Sequence, residues 1–217
     1  MDLTQFSPSS ALLTVVVLAL APFVAVMVTS FTKLVVVLNL LRNALGVQQV
    51  PPNVVLNGLA LVLSIYVMYP VGLEMGTKLQ GMNNIGGNTQ SMLNAADQAK
   101  EPLRDFLIKH SRPVERAFFH KTAQRALKPE QAAKLSDRDF LVVVPAFTVS
   151  ELSIAFEIGF LIFLPFLVID LVISNILMAM GMMMLSPTTV SMPFKLLLFV
   201  LIDGWVKLTH GLILTYL

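Results

Sequence analysis

The chain has 217 residues, of which 56% are hydrophobic and only 13% are charged, and its formal net charge is +2. A soluble domain carries about 25% charged residues, so this composition excludes an ordinary soluble protein and indicates an integral membrane protein. The chain contains no cysteine, which excludes a disulfide framework and thiol chemistry.

Four apolar blocks follow one another along the chain and predict an all-α, multi-pass membrane fold. They run from Ala11 to about Leu41, from Val54 to Leu73, from Leu141 to Leu185 and from Phe194 to Leu217. The residues before the first block contain no lysine or arginine. A secretory signal peptide has a basic start, so we expect the first block to be retained.

The blocks divide the chain into three predicted regions. Residues 1–75 form an N-terminal apolar helical hairpin, residues 76–139 form a helical insert, and residues 140–217 form a C-terminal apolar hairpin with a methionine-rich loop. The insert holds 11 of the 15 lysine and arginine residues. Because acidic residues are interspersed among them, we interpret the insert as a mixed, solvated surface and expect no nucleic-acid binding.

The insert also contains three prolines that suit the first turn of a helix. They predict three short amphipathic helices, which begin near Pro102, Pro113 and Pro129.

Two short turns predict the orientation in the membrane. Arg42 lies at the turn between the first two blocks, and Lys195 lies at the turn between the last two. With four crossings these turns share one side, which the positive-inside rule makes cytoplasmic. The insert and both termini are then expected on the periplasmic side.

The third block is too long for one ordinary span. Its 45 residues would form a helix roughly 68 Å long, whereas a hydrocarbon core is about 30 Å thick. We therefore expect the block either to fold back or to pack largely against protein.

Several charged residues lie in or beside the apolar blocks, and they have two interpretations. One is a proton or ion relay, and the other is structural pairing between helices or subunits. The acids of the third block do not share a face on an unbroken helix with about 100° per residue, which favours pairing over a relay. The charged residues concerned are Glu151, Glu157, Asp170, Lys195, Asp203 and Lys207.

Five methionines lie within seven residues at the end of the third block. They fill gaps in a core, or they form a deformable apolar ring that lines a pore. Composition does not decide between these two interpretations. The methionines are Met178, Met180, Met182, Met183 and Met184.

The sequence contains no signature of an enzyme, a cofactor site or a metal site. It has no HExxH pair, no GxSxG elbow and no P-loop lysine. A small-solute or ion transporter is an alternative, because such proteins also hold intramembrane charges and broken helices. A transporter is expected to show internal repeats, and we find none.

Three long segments resemble one family, the FliP/SctR-type export-gate R subunit of type III secretion, which flagella and injectisomes share. They are TSFTKLVVVLNLLRNALGVQQVPPN (29–53), PAFTVSELSIAFEIGFLIFLPFLVIDLVISNILMAMGMMMLSP (145–187) and PFKLLLFVLIDGW (193–205). The resemblance covers nearly the whole chain, although the insert is similar only in length and character.

This resemblance implies a core subunit of a bacterial inner-membrane channel that exports unfolded protein substrates. Five copies are expected to assemble with S and T subunits into a helical complex that lies largely on the periplasmic side, with the V and U export-gate subunits and membrane lipid as further partners. Flagellar members generally carry a cleaved signal, and its expected absence here favours an injectisome.

The resemblance also implies roles for particular residues. Met182, Met183 and Met184 are expected to form a pore gasket, with Gly181 at the bend. Glu151 and Lys195 are expected to form a charge pair between subunits.

Overall fold

The computed structural model describes residues 8–80, 97–182 and 184–217, and every regular element in these ranges is a helix. The all-α prediction is therefore confirmed. In chain order the helices are α1 (Pro8–Val28), α2 (Phe31–Leu45), α3 (Asn53–Gln80), α4 (Glu101–His110), α5 (Pro113–Ala126), α6 (Pro129–Ala132), α7 (Phe140–Ala179), α8 (Pro187–Leu201) and α9 (Gly204–Leu214).

Two of the four apolar blocks are bent. The end of α1 meets α2 at an angle of 79°, and α8 meets α9 at 62°. By length and composition α3 and α7 are each able to span a membrane, and the described residues contain up to four spans if each bent pair counts as one. The multi-pass, membrane-type prediction agrees with this arrangement.

Helix α2 lies at the centre of the fold. Its buried residues recur at helical spacing and form one continuous stripe, as expected for a helix that faces a core. It packs along α7 and also contacts α3 and α8. The stripe comprises Lys33, Leu34, Val37, Leu38, Leu41, Ala44 and Leu45.

The residues of α2 contribute to two buried apolar clusters that join the N-terminal and C-terminal hairpins. The first joins α2 to Leu56 of α3, Ala155 of α7 and Leu212 of α9. The second joins α2 to Phe166 of α7 and Phe199 of α8. Contacts between the hairpins therefore supply much of the buried apolar surface.

Helix α7 contains 40 residues and is about 60 Å long at 1.5 Å per residue. It does not fold back before its end at Ala179, so the first of our two expectations does not hold for this helix, and packing of the whole block against protein stays a prediction. Its first half packs against α2 and against the insert, where Phe147 contacts Phe106 of α4 with ring centroids 5.8 Å apart. Its second half exposes large apolar side chains such as Phe160 and Val168.

The insert forms the three helices that its prolines predict. Pro102 is the second residue of α4, and Pro113 and Pro129 are the first residues of α5 and α6. Helix α3 continues to Gln80, five residues beyond the expected end of the N-terminal hairpin. The division of the chain into three regions stays a prediction.

The two short turns lie at the same end of the molecule, as the sequence predicts. Gln48 from the first turn and Thr188 from the start of α8 line one cleft of about 380 Å³. At the opposite end, Tyr216 stacks on Phe106 of the insert with ring centroids 6.1 Å apart. This arrangement separates the methionine-rich loop from the insert by about the second half of α7.

Candidate functional site

A buried ion pair joins α2 to α7. The Nζ atom of Lys33 lies 3.3 Å from Oε1 of Glu151, and the two side chains are 2% and 1% exposed. A charged group removed from water needs a partner of opposite charge, because desolvation costs several kcal/mol per ion. The pair therefore joins two residues that are distant in sequence. Removal of either side chain would leave the other as an unpaired buried charge.

Tyr216 completes this buried cluster. Its hydroxyl donates a hydrogen bond to Oε2 of Glu151, and its ring lies 3.6 Å below Nζ of Lys33. The aromatic face therefore contributes a cation–π contact to the same lysine. We call Lys33, Glu151 and Tyr216 the buried triad.

A second ion pair joins α7 to α8 near the methionine-rich loop. Nζ of Lys195 lies 2.6 Å from Oδ2 of Asp170 and also donates a hydrogen bond to the Ala44 carbonyl at 3.2 Å. Ser191 donates to the other oxygen of Asp170. Buried Glu151 and half-buried Asp170 are 19 residues apart, which is roughly 28 Å along the helix, so each pairs with its own lysine.

From the sequence we expect Glu157, Asp170 and Asp203 to be buried charges, but in the structure Asp170 is half-buried and Glu157 and Asp203 are exposed. Glu157 pairs with Arg112 of the insert at 2.6 Å, and Asp203 lies at the break between α8 and α9 with a φ of 53°. Every acid of α7 is thus paired with a base, which favours structural pairing over a relay.

Glu151 and Lys195, which the resemblance pairs between subunits, are not partners within one chain. Glu151 contacts Lys33, and Lys195 contacts Asp170. The pair between subunits stays a prediction, and it would compete with these internal contacts.

The sequence analysis missed the roles of Lys33 and Tyr216. A usable signal existed, because Lys33 and Arg42 are the only basic residues in the N-terminal half of the apolar sequence. A buried acid in α7 required a base from another apolar helix, and Lys33 was an available candidate. Nothing in the sequence indicated Tyr216.

The methionine-rich loop begins at a regular helix end. Gly181 has a φ of 71°, its N–H bonds to the Met178 carbonyl, and the N–H of Met182 bonds to the Leu177 carbonyl. These two bonds form a Schellman motif, in which glycine favours the left-handed position. Gly181 therefore lies at the bend, as expected.

The described methionines of this loop point away from the core of the chain. Met182 is 41% exposed and Met184 is fully exposed, while Met183 lies outside the described residues. Met178 and Met180 are also more than half exposed. These four side chains therefore do not fill gaps inside this chain.

His110 of the insert lies against the buried triad. Its ring contacts Phe106 at 4.7 Å and the edge of Tyr216 at 5.1 Å between centroids. Burial, and then the positive charges of Lys109 and Lys33, lower the pKa of His110 from 6.5 to about 4. His110 is therefore neutral at pH 7.

Within residues 8–80, 97–182 and 184–217, no group of three or more histidine or acidic side chains is arranged to hold a metal ion. The charged groups of the apolar helices form separate pairs rather than a convergent site. This arrangement suits a structural and assembly role.

Comparison with known proteins places these features in a family context. Residues 12–212 match the FliP family. The Hypersensitivity response secretion protein HrcR of Ralstonia nicotianae is 52% identical over 210 residues, which cover 96% of this chain and 97% of that protein. Yop proteins translocation protein R of Yersinia pestis is 54% identical over 199 residues, which cover 92% of each chain.

A flagellar protein is also similar. Flagellar biosynthetic protein FliP of Bacillus subtilis is 42% identical over 205 residues, which cover 94% of this chain and 90% of that protein. These relatives are named for secretion, translocation or flagellar biosynthesis, so the comparisons do not favour the small-solute transporter.

Proposed function

Since the chain belongs to the FliP family of type III secretion subunits, we propose that it is a core subunit of the inner-membrane export gate and forms part of the channel for unfolded protein substrates. In this proposal several copies, five by resemblance, assemble with S and T subunits, and the V and U subunits join them. The insert lies on the periplasmic side, and membrane lipid surrounds part of the assembly.

The observation that carries the proposal is the exposed methionine loop. A loop of unbranched, polarisable side chains at the end of a rigid helix adapts its shape easily. Several such loops are able to pack against one another and seal an empty pore, or to pack around a polypeptide that passes through it. We propose that Met182, Met183 and Met184 from several copies meet at the channel axis and form a gasket. The Schellman motif at Gly181 supports this role, because it fixes the direction in which the loop leaves α7.

Large exposed apolar surfaces support assembly. The second half of α7 and the outer face of α8 expose side chains such as Phe160, Leu161 and Leu197. Contiguous exposed apolar surface of this kind marks contacts with other proteins or with lipid. In the proposed complex, neighbouring subunits cover a large share of it.

The names of two relatives favour an injectisome over a flagellum. Hypersensitivity response secretion and Yop translocation are functions of virulence systems, and those relatives share more than half of their aligned residues with this chain. The flagellar relative is 42% identical. We therefore propose that this chain serves an injectisome.

The gasket is tested by shortening its side chains. Replacement of Met182, Met183 and Met184 by alanine in the complex assembled with the S and T subunits should open a leak. We expect ion permeability of the membrane to rise at least tenfold, because the shortened side chains leave the constriction unfilled. The measurement is conductance across a planar bilayer that contains the purified complex.

Met27 supplies the matched control, because it is also exposed but lies on α1, far along the chain from the loop. Met27→Ala should leave the conductance unchanged. Unchanged conductance in the triple variant, in a complex of normal composition, would remove the gasket from the proposal.

A further inference from the structure

Three exposed polar side chains lie on helix α9 and directly before it. Asp203, Lys207 and His210 are all exposed. Asp203 directly precedes α9, and its carbonyl accepts a hydrogen bond from the Lys207 N–H at 3.0 Å. Lys207 and His210 are three residues apart in the helix, so at about 100° per residue they lie within roughly 60° of each other around its axis. We call these three residues the α9 strip.

The charges of the α9 strip have no ionic partner among the described residues. No oppositely charged side chain lies within 4.0 Å of Asp203 or Lys207 in the ranges 8–80, 97–182 and 184–217. The other acids and bases of the apolar helices behave differently, because Glu151 and Asp170 each contact a lysine. The strip is therefore the part of the C-terminal hairpin whose charges remain unmatched.

Lipid does not suit this face. The strip is flanked by exposed apolar side chains, which include Val200, Leu201 and Val206. Charged groups within a hydrocarbon region are costly, and in membrane proteins they turn towards protein or a water-filled cavity. A second protein surface meets this requirement and also supplies the missing ionic partners.

A groove lies beside the strip. It occupies about 520 Å³ between α3 and α9, and its walls include Val62, Tyr66, His210 and Leu214. The groove is mainly apolar and open at the surface, so a neighbouring helix is able to place apolar side chains in it while its charges meet the strip.

We propose that the α9 strip is the contact surface for a second copy of this chain, in which Asp203 of one copy pairs with Lys207 of the next. The strip carries one charge of each sign one helical turn apart, so copies arranged side by side supply each other's missing partner. This contact leaves no net charge at the interface. The inference rests on the proposed homo-oligomer and adds the surface through which copies meet.

Complementary charge reversal tests the pairing. Two differently tagged copies are co-expressed with the S and T subunits, and the fraction of the second tag that co-purifies with the first is measured. Two copies that both carry Asp203→Lys, or both carry Lys207→Asp, should co-purify at least threefold less than the wild type. Mixing one Asp203→Lys copy with one Lys207→Asp copy should restore co-purification, because each contact then joins opposite charges again.

Two control variants separate charge from other effects. Asp203 has a positive φ, so Asp203→Gln reproduces the backbone strain of the lysine variant without its charge. Lys78→Asp reverses an exposed charge on α3 and should leave co-purification unchanged. A chain without cysteine also permits a second measurement, since Val206→Cys places a unique thiol beside Lys207 and keeps both charges of the strip. We expect assembly to protect this thiol from a water-soluble maleimide.

The outcomes distinguish the strip from the oligomer itself. If wild-type copies do not co-purify, the proposed homo-oligomer is wrong, and the proposed contact between copies is wrong as well. If wild-type copies associate but the like-charged combinations associate equally well, or if the thiol is fully labelled in the assembled complex, the strip is not the contact and the homo-oligomer stands.

Discussion

At the scale of single residues, buried charges are stable only where another helix supplies the counter-charge. Lys33 is buried on α2, and without Glu151 its ammonium group would lose both its ionic partner and its hydration. The Tyr216 hydroxyl donates a hydrogen bond to Glu151, and its ring makes a cation–π contact with Lys33. The buried triad is therefore expected to respond strongly to removal of one member.

Removing one charge of the pair should destabilise the chain more than removing both. Lys33→Met or Glu151→Leu alone leaves an unpaired buried charge, and each should lower the free energy of unfolding by about 3–5 kcal/mol. The double variant should recover part of that loss, because it replaces a pair by apolar groups. Thermal unfolding of the purified chain in detergent measures this double-mutant cycle.

The exposed pair offers a matched control for this cycle. Glu157→Leu breaks the contact with Arg112, and because both side chains are exposed it should cost about 1 kcal/mol or less. A parallel double-mutant cycle of Glu151 with Lys195 tests the predicted pair between subunits. If that pair forms, the coupling energy between these two residues should appear only in the assembled complex. Additive effects of Lys33→Met and Glu151→Leu would contradict the internal pair.

His110 should make the stability of the insert sensitive to acid. Its pKa is lowered from 6.5 to about 4 in the folded chain, chiefly by burial. A group whose folded pKa is lowered contributes stability above pH 6.5 that is lost as the pH falls from 6.5 towards 4, because the unfolded state binds the proton first. The melting temperature should therefore fall between pH 7 and pH 5.

His110→Phe tests whether this residue causes the effect. Phenylalanine keeps an aromatic ring against Phe106 and Tyr216 but does not titrate. The decrease in melting temperature between pH 7 and pH 5 should be smaller in this variant. An identical decrease in the variant and the wild type would assign the acid sensitivity to other groups.

At the scale of the elements, close helix contact depends on small residues that the hydrophobic pattern does not reveal. Gly159 of α7 faces Leu40 of α2, and a Cβ atom added at Gly159 would lie 3.1 Å from Cβ of Leu40 and closer still to its methyl group. The two helices therefore approach each other so closely that any larger residue at this position would have to displace the Leu40 side chain.

Gly159→Ala should consequently separate α2 from α7. Overpacking of a well-packed contact typically costs about 1–3 kcal/mol, and we expect a loss of unfolding free energy in that range. Chemical unfolding monitored by circular dichroism in detergent measures the change.

Gly72→Ala is the control, because nothing lies within 4 Å of the added Cβ on α3. There the higher helix propensity of alanine should stabilise the chain by up to about 1 kcal/mol. A loss of stability at Gly72 that equals the loss at Gly159 would show that close packing is not the cause.

The bends of the apolar blocks were not part of the sequence prediction. The first bend occurs at Thr29–Ser30, and the second requires a positive φ at Asp203, a residue that adopts it less readily than glycine. Gly204 follows this bend, and a Cβ there would lie 2.6 Å from the Cζ atom of Phe199. The second break therefore brings the Phe199 ring against the backbone of Gly204, where a larger residue would not fit.

At the scale of the whole molecule, one chain does not form a compact particle. Its accessible surface is 14515 Å², whereas a compact monomer of 23.8 kDa exposes about 9,900 Å² by the usual scaling of area with mass. The exposed second half of the 40-residue α7 contributes to this excess. The exposed apolar surface agrees with a subunit that neighbouring polypeptides and lipid surround in its working state.

The sequence by itself determined the class of the protein, the existence of its helices and its family. Apolar block length, proline position and long matching segments are local properties, and they predicted an all-α membrane chain, three insert helices and a bend at Gly181. Only the tertiary structure decided which charges meet. Lys33 and Glu151 are separated by 118 residues, and no local pattern records which acid approaches which base, because the packing of α2 against α7 brings them together.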